Sequence, residues 1–277
     1  MSRPPYTPFD VGPPDFTPRL RPIAVEDWLP PWRETGWLEE KRRLMRDRRG
    51  EVWASTGEGV EAAREAADLV LAVAGAGALG EWPTPLEAAA ASVPDDLCVM
   101  RRDQGGAWRL EEASVCAPTY WRLGDVIGQP LGAIHGPVPG GDPLLAARIA
   151  RVFDGLAPGT VLERFNWTVQ AGAARFTPDD APILAEAEAA TDWRYALYLR
   201  VERQTIRKLA RSGAVLFTIR VENDPLAQVI DDPELRIRFA AAWRSASASA
   251  RAYKSWAVYD GLIEAALRET TQGEGRE

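Results

Sequence analysis

The sequence predicts an α+β fold, in which helices flank an antiparallel β-sheet. Runs with period-two alternation of apolar and polar residues occur in pairs, and glycine-containing turns join them, as in antiparallel hairpins. Segments with helical spacing precede and follow these pairs instead of alternating with single strands, which disfavours a doubly wound parallel sheet. The chain has 277 residues, 46% of them hydrophobic, which is enough for one large core or two small ones.

The predicted elements follow from these patterns. Helical spacing predicts helices over residues 38–48, 60–74, 143–153 and, with a break, 232–267. Alternation predicts one hairpin over residues 97–101 and 108–116 and a second over 195–204 and 214–221, with turns at 104–106 and 211–213. Between the hairpins, Phe165, Trp167 and Val169 alternate with polar residues, which predicts a half-buried strand.

The two ends of the chain differ in composition from its middle. Residues 1–36 are rich in proline and aromatic residues and are predicted to form an arm packed on a single domain of residues 37–270. The aromatic side chains of this arm need a surface to bury against: Tyr6, Phe9, Phe16 and Trp28. Residues 271–277 are predicted to form a frayed tail.

Charge and hydropathy exclude several partners. A net charge of −7 argues against a nucleic-acid or anionic-membrane partner, because phosphate binding needs clustered Lys and Arg. No apolar run is long enough to span a bilayer, and proline and aspartate lie where a signal peptide needs apolar residues. The sequence therefore predicts a cytoplasmic protein with no nucleic-acid and no membrane partner.

The chain contains a single histidine, His135. Hydrolytic triads and zinc hydrolases need histidine within a larger constellation, so many such designs are excluded. Cys98 and Cys116 are too few for a disulfide scaffold and are predicted to be reduced and buried. The chemistry that remains needs one imidazole or none.

His135 falls in a predicted loop, residues 134–141, in which two prolines fix the backbone and glycines leave space beside the ring. One interpretation is a surface loop whose histidine has no function or caps the helix that follows. The other is metal ligation. A haem ligand would be His, Cys, Tyr, or Met paired with His. Because Cys98 and Cys116 fall in predicted strands as packing residues, His135 is the best single ligand, and it leaves the sixth position open.

The second hairpin is unusually basic. Period two places Arg200 and Glu202 on one face of its first strand and Arg203 on the other. Together with Arg207, these arginines are predicted to hold anionic groups such as haem propionates, because a guanidinium binds a carboxylate through two parallel hydrogen bonds. The alternative is an ordinary solvated hairpin with cross-strand Arg–Glu pairs.

Short motifs in one order link nearly the whole chain to a known family. They are Pro8-Phe9 with Gly12-Pro13, Leu20-Arg21-Pro22, Asp27-Trp28, Glu40-Lys41-Arg42-Arg43-Leu44, Asp96-Leu97-Cys98, Trp108-Arg109-Leu110-Glu111, Ala113-Ser114-Val115-Cys116, Trp121-Arg122-Leu123, Ile134-His135 with Pro137-Val138-Pro139, Arg164-Phe165-Asn166-Trp167, and the runs 200–209 and 212–220. In these motifs the chain resembles the haem-dependent oxidative N-demethylase α-subunit family. Its members look like a PAS-type haem domain converted from a sensor to an enzyme.

The resemblance implies a PAS-like sheet, a haem b held by His135, and oxidative removal of a methyl group from a small amine such as dimethylamine. Such chemistry uses O₂ and releases formaldehyde. Glu202 and Tyr198 are the predicted catalytic residues, with Glu202 as the amine or proton partner. The candidate pocket walls are Phe165, Trp167, Tyr195 and Tyr198, and the first two are also predicted to contact the cofactor. The alternative for each of these residues is an ordinary place in the core.

Two sequence features refine this expectation. These 277 residues contain no nucleotide-binding glycine fingerprint and no cysteine cluster for an iron–sulfur centre, which predicts a separate electron-donating reductase. Residues 221–223 depart from the family's usual Thr and aromatic or aliphatic residue before Asp224-Pro225-Leu226, which bears on the substrate pocket.

Two alternatives belong to other classes. A haem-binding sensor or gas-binding module shares the ligand and the fold but has no turnover, so amine-dependent oxygen consumption distinguishes it. A haem-free interaction domain uses the sheet as a docking surface and gives no Soret absorption band.

Overall fold

A computed structural model of the chain describes residues 3–31, 35–75 and 82–269. The predicted α+β class is confirmed, because strands in the described ranges form an antiparallel sheet and helices occupy the segments between them. The strands are β1 (Arg21–Ile23), β2 (Trp53–Ser55), β3 (Asp96–Arg102), β4 (Trp108–Ser114), β5 (Val161–Ala171), β6 (Leu197–Lys208) and β7 (Val215–Pro225). They follow the order β1-β5-β6-β7-β3-β4-β2 across the sheet.

The described helices vary from one turn to four turns in length. They are α1 (Thr35–Asp47), α2 (Arg49–Val52), α3 (Val60–Ala74), α4 (Pro85–Ala90), α5 (Leu123–Val126), α6 (Leu131–His135), α7 (Ala146–Gly155), α8 (Ala181–Ala189), α9 (Trp193–Ala196), α10 (Ala227–Ile230), α11 (Pro233–Ser245), α12 (Ala248–Tyr253) and α13 (Asp260–Glu269). Three 3₁₀ turns (Pro8–Val11, Val25–Asp27 and Trp256–Tyr259) and one π turn (Gly141–Leu145) complete the described elements.

Both predicted hairpins are present. β3 pairs antiparallel with β4, and a β-bulge lies between Val99 and Met100. Their turn is closed by Asp103, whose carboxylate accepts a hydrogen bond from the Ala107 main-chain N–H at 2.9 Å. Gly106 in this turn has a φ of +86°, which a residue with a side chain rarely adopts. Asp103 and Gly106 therefore form a turn that lets β3 and β4 pair as neighbours in the sequence.

Two helical predictions need correction. The predicted helix over 143–153 begins as the π turn Gly141–Leu145 and becomes regular only in α7. The predicted helix over 232–267 is divided into α11, α12 and α13. Ser247 starts α12 by accepting a hydrogen bond from Ala250 N at 3.1 Å, and Ser255 interrupts the chain again with a φ of +53°. The predicted tail, residues 271–277, lies outside the described residues.

Contacts divide the chain into two compact units. The first contains, of the described residues, 3–16, 165–202 and 221–269, and the second contains 17–31, 35–75, 82–164 and 203–220. The predicted arm, residues 1–36, contributes residues to both units. Its separation from a single domain of residues 37–270, and the PAS-like character of the sheet, remain predictions.

The first unit is built on an aromatic cluster. Trp243 stacks on Trp256 with ring centroids 4.1 Å apart, and Trp256 lies 5.2 Å from Trp167 of β5. Phe9 meets Trp167 and Phe239 edge to face at 6.1 and 5.7 Å. Such pairs add to the free energy gained by burying the rings. Phe9 is therefore buried against this cluster, as predicted for the aromatic side chains of the N-terminal segment.

The second unit has an apolar core between β3, β4 and the helices that follow them. Its buried members include Cys98, Leu110, Leu131, Phe153 and, from β6, Ile206. Around it lie partly buried apolar residues: Leu20, Ala54, Trp121, Val126, Ile127, Ile134, Ala146, Ile149, Ala150, Leu162 and Phe217. The core thus extends outward into a surface that is only partly covered. No helix in the described ranges is long and apolar enough to cross a membrane.

A buried ion pair holds an irregular segment onto β7. Arg220 donates to Asp95 Oδ2 from Nη2 at 2.7 Å and from Nε at 3.1 Å, and its Nη1 donates to the Pro30 carbonyl at 2.9 Å. The side chains of Arg220 and Asp95 are 3% and 0% exposed. Removing one partner of such a pair leaves the other charge buried and uncompensated.

We therefore expect Arg220→Gln to lower the free energy of unfolding in urea by about 3–5 kcal/mol. The matched control is Arg48→Gln, because Arg48 and Glu51 form an ion pair with side chains 46% and 42% exposed. That change should cost less than about 1 kcal/mol. Equal losses for the two variants would contradict the importance of burial.

Candidate functional site

His135 is the last residue of α6, a correction to its predicted place in a loop. Pro130 precedes α6 with extended backbone, and one helical turn forms from Leu131 to His135 in spite of Gly132, before Pro137. α6 packs against the π turn Gly141–Leu145 and against α7. The imidazole is therefore carried by a short helix inside the second unit, and the predicted proline–glycine loop follows it.

A hydrogen bond fixes the tautomer of this imidazole. His135 Nδ1 lies 2.9 Å from the Leu131 carbonyl oxygen. A carbonyl can only accept, so Nδ1 carries the proton and, in the neutral ring, Nε2 keeps its lone pair. Histidines that ligate metals use the same arrangement, with the second nitrogen bonded to a carbonyl or carboxylate.

The surroundings of His135 favour its neutral form. Burial lowers the pKa of its imidazole, and the charge of Arg164 lowers the pKa further, whereas the hydrogen bond to Leu131 acts in the opposite direction. The ring is only half-buried. A neutral imidazole with a lone pair and partial access to solvent is the form that binds a metal.

Arg207 on β6 is the second group in this unit with unused binding capacity. Its guanidinium carbon lies 4.4 Å from the centroid of the Trp28 ring, and its Nη1 is buried without a hydrogen-bond partner in the described residues. Burial lowers the pKa of this guanidinium. A half-buried cation with a free donor suits an anionic group of a ligand.

Arg203, also predicted to bind the cofactor, is engaged by protein acceptors. Its Nε donates to Glu163 Oε1 at 2.6 Å, and its two terminal nitrogens donate to the carbonyls of Trp28 at 2.9 Å and Asp27 at 2.6 Å. The Arg203 side chain is only 4% exposed. These contacts assign it a structural task, and its predicted role toward a cofactor remains a prediction.

Arg200 lies in the first unit and is completely buried. Its Nη1 donates to Gln170 Oε1 at 3.1 Å and its Nη2 donates to the Arg175 carbonyl at 3.1 Å. These contacts hold the segment after β5. Its burial contradicts the alternative of a solvated side chain, and a propionate contact for Arg200 remains a prediction.

The predicted catalytic and wall residues also belong to the first unit. Glu202 Oε2 accepts a hydrogen bond from Asn166 Nδ2 at 3.3 Å, and Lys254 Nζ donates to Asn166 Oδ1 at 3.1 Å. An ammonium only donates and a carboxylate only accepts, which fixes the orientation of the amide between them. Tyr198 is half-buried, and Tyr195 is 82% exposed.

The two predicted aromatic walls have different environments. The half-buried Phe165 packs on Tyr6 with ring centroids 5.1 Å apart. Trp167 is buried in the aromatic cluster of the first unit. The structure thus groups Phe165, Trp167, Tyr198, Arg200 and Glu202 in one unit and places His135, Arg203 and Arg207 in the other.

Sequence reasoning missed several contributors. Arg164 and Asn166 stand in the same short motif as Phe165, yet neither was proposed for a role. Lys254 carried no signal, because an isolated lysine in a helical segment is normally solvated. Trp28 was noted only as an aromatic of the arm, although it stacks with Arg207.

Neither thiol is suited to bind a metal. Cys98 and Cys116 are free and buried. Burial is the main cause that raises the pKa of both thiols, and the nearby charge of Asp96 raises it further. A protonated, inaccessible thiol is a poor ligand. Cys116 lies two residues beyond the end of β4, which corrects its predicted place inside the strand.

The described residues contain no cluster of three or more His, Cys, Asp or Glu side chains that could bind a metal ion. A haem iron does not need such a cluster, because the porphyrin supplies four nitrogens and the protein adds one or two axial ligands. The half-buried His135, the partly covered apolar residues of α5–α7 and the cation Arg207 fit a haem in chemical character.

Comparison with known proteins identifies the family. The family model described as haem-dependent oxidative N-demethylase, alpha subunit-like, matches residues 77–263. The chain belongs to this family. Its description is of haem-dependent oxidoreductases, in agreement with the resemblance seen in the sequence motifs. The curated proteins give no significant match.

The environment of His135 predicts its titration. Because burial lowers its pKa, we expect the single imidazole resonance in the ¹H NMR spectrum of the haem-free protein to titrate below about 6.5, the value of an exposed histidine. The same resonance in the urea-unfolded chain should return to about 6.5. A midpoint at or above that value in the folded protein would mean that the ring is solvated or paired with a carboxylate.

Proposed function

We propose that the chain binds haem b through Nε2 of His135 and that the loaded protein removes a methyl group oxidatively from a small methylated amine. The observation that carries the proposal is the hydrogen bond from His135 Nδ1 to the Leu131 carbonyl, which leaves Nε2 as the lone-pair nitrogen. Family membership supports haem dependence and the class of reaction. Dimethylamine is the first candidate substrate.

The overall reaction balances with a separate electron donor. One molecule of R₂N–CH₃, one O₂, two electrons and two protons give R₂NH, formaldehyde and water. When bound, haem would supply the activation of O₂. We propose that a separate reductase delivers the electrons.

In this proposal Nε2 of His135 would hold the haem iron, and the Leu131 carbonyl fixes the orientation of the ring. Of the three arginines predicted to contact propionates, Arg207 is the best supported, because its Nη1 is a buried donor without an acceptor in the described residues. The partly covered apolar residues of α5–α7 are suited to a porphyrin face, since burial of apolar surface stabilises the complex.

Glu202 is proposed as the partner of the substrate amine or of a proton, together with Tyr198, which lies four residues earlier on β6. Its Oε2 accepts a hydrogen bond from Asn166 Nδ2 at 3.3 Å, and a carboxylate is the group that pairs with a substrate ammonium. Phe165 and Trp167 are proposed as apolar walls that favour methyl groups. These roles are independent of haem ligation by His135, so an experiment can disprove them and leave the ligation by His135 intact.

The axial ligand can be tested by haem retention. We expect His135→Ala to reduce haem occupancy after reconstitution at least about tenfold, because a single axial bond dominates affinity for the iron. Cys98→Ser and Cys116→Ser should retain occupancy and the ferrous–CO spectrum, since both thiols are buried and protonated. Absorption spectra and pyridine haemochrome titration measure both quantities.

Arg207→Gln provides a second variant for the same experiment. It should raise the haem dissociation rate while the axial-ligand spectrum stays unchanged. If His135→Ala kept the haem occupancy and the ferrous–CO spectrum of the parent, the haem ligand would be a residue other than His135.

Turnover can be tested on the reconstituted protein. With an external reductant, dimethylamine and other secondary or tertiary methylamines should accelerate O₂ consumption and yield formaldehyde in equal amounts to demethylated amine. Glu202→Gln should raise the apparent KM for the amine more than it lowers kcat, because it removes a charge that binds the substrate. O₂ binding without formaldehyde from any amine would instead assign the protein to the sensor class.

A further inference from the structure

The second unit contains a cleft of about 460 Å³, and His135 is not among the residues that line it. It lies where the segment after β2 meets β3, β4 and their turn, and it contains five charged side chains. Some of these side chains have hydrogen-bond partners in the protein, and others have donors or acceptors without a partner at bonding distance among the described residues. The second group determines which ligand the cleft can bind.

Arg109 and Asp103 satisfy each other. Arg109 Nε donates to Asp103 Oδ2 at 2.6 Å, and its Nη1 donates to the Gly128 carbonyl at 3.0 Å. The other oxygen of Asp103 accepts from Ala107 N. This pair is neutral as a whole and forms one wall of the cleft.

Arg101, in contrast, makes no side-chain hydrogen bond in the part of the chain that the structure describes. Its Nε is buried and has no hydrogen-bond partner in the described residues. Its Nη2 lies 3.6 Å from Glu58 Oε2 and 3.9 Å from Glu111 Oε1, which are contacts between charges but too long for hydrogen bonds. Nη2 is therefore a donor with no acceptor at bonding distance among the described residues, beside a buried Nε that also lacks one.

Glu111 supplies a carboxylate to the same cleft. Its side chain is 4% exposed, and its Oε2 accepts a short hydrogen bond from the Thr56 hydroxyl. Gly59 permits the close approach of this segment, because a Cβ there would lie 2.7 Å from Glu111 Cβ. The fold thus holds Glu111 firmly, and its Oε1 faces Arg101 across a gap.

We propose that this cleft binds a small zwitterion of the α-amino acid type. The ligand carboxylate pairs with Nη2 of Arg101, and the ligand ammonium pairs with Glu111 Oε1, with the exposed Glu58 as a second acceptor. An α-amino acid carries both charges on one carbon, which matches a donor and an acceptor separated by 3.9 Å.

Charge balance favours a zwitterion over either simple ion. An anion at Arg101 would approach two carboxylates, and a cation at Glu111 would approach a guanidinium, so each meets a like charge. A zwitterion gives each of these groups an opposite partner and adds no net charge.

The experiment uses the full chain labelled with ¹⁵N and follows the Arg101 Nε–H resonance by NMR. Glycine is titrated against acetate and methylammonium, which are the two halves of the proposed ligand. Glycine should shift the Arg101 resonance with a Kd at least about tenfold lower than either half. Arg101→Gln should weaken glycine binding at least about tenfold.

Two variants distinguish the parts of the site. Glu111→Gln keeps the shape of the side chain and should weaken glycine binding while strengthening acetate binding, because it removes one of the two carboxylates near Arg101. Arg102→Gln is the matched control on the same strand, since Arg102 donates to the Gly106 carbonyl outside the cleft, and it should have no effect. Thermal unfolding verifies that each variant is folded.

Acetate or methylammonium binding as tightly as glycine would overturn the proposal in favour of a simple ion site. The proposal is equally overturned if glycine leaves the Arg101 resonance unshifted up to ~0.1 M, far above the range of specific small-ligand binding, or if Arg101→Gln binds it unchanged.

Discussion

Guanidinium groups that β6 and β7 carry into the interior hold irregular parts of the chain onto the sheet. In the second unit, Arg203 and Arg220 together bond the carbonyls of Asp27, Trp28 and Pro30. In the first unit, Arg200 does the same for the segment after β5. A buried charge costs several kcal/mol unless its donors are satisfied, so these segments and the strands stabilise each other. Loops without regular secondary structure obtain hydrogen bonds in this way.

The sequence predicted the hairpins because their information is local. Alternation and a glycine turn determine which residues pair, and tertiary contacts are not needed to recognise them. Burial of the arginines could not be predicted in this way. Period two assigns a residue to a face, but the cover over Arg203 comes from Trp28, which is 175 positions away. Arg203 and Arg207 look equivalent in the sequence, yet only Arg203 is covered by carbonyl acceptors.

The candidate ligand was predicted for a different reason. His135 was identified because it has no competitor among imidazoles and because both cysteines were expected to be inert. Its place at the end of a helix was missed, since one turn flanked by proline and glycine gives no periodic signal. The hydrogen bond to Leu131 was equally unpredictable, because it depends on a side-chain rotamer. The cleft around Arg101 is formed by segments that meet only after β2, β3 and β4 have paired.

The partner of His135 Nδ1 also determines how strongly the imidazole donates electrons. A main-chain carbonyl withdraws the proton from Nδ1 less than a carboxylate does, so Nε2 becomes a donor of intermediate strength. An iron bound there would keep its ferrous form more accessible than one opposite an imidazolate-like ligand. Because the carbonyl belongs to Leu131 in the same helical turn, no side-chain substitution deletes it. The electronic character of the imidazole therefore depends on the main chain.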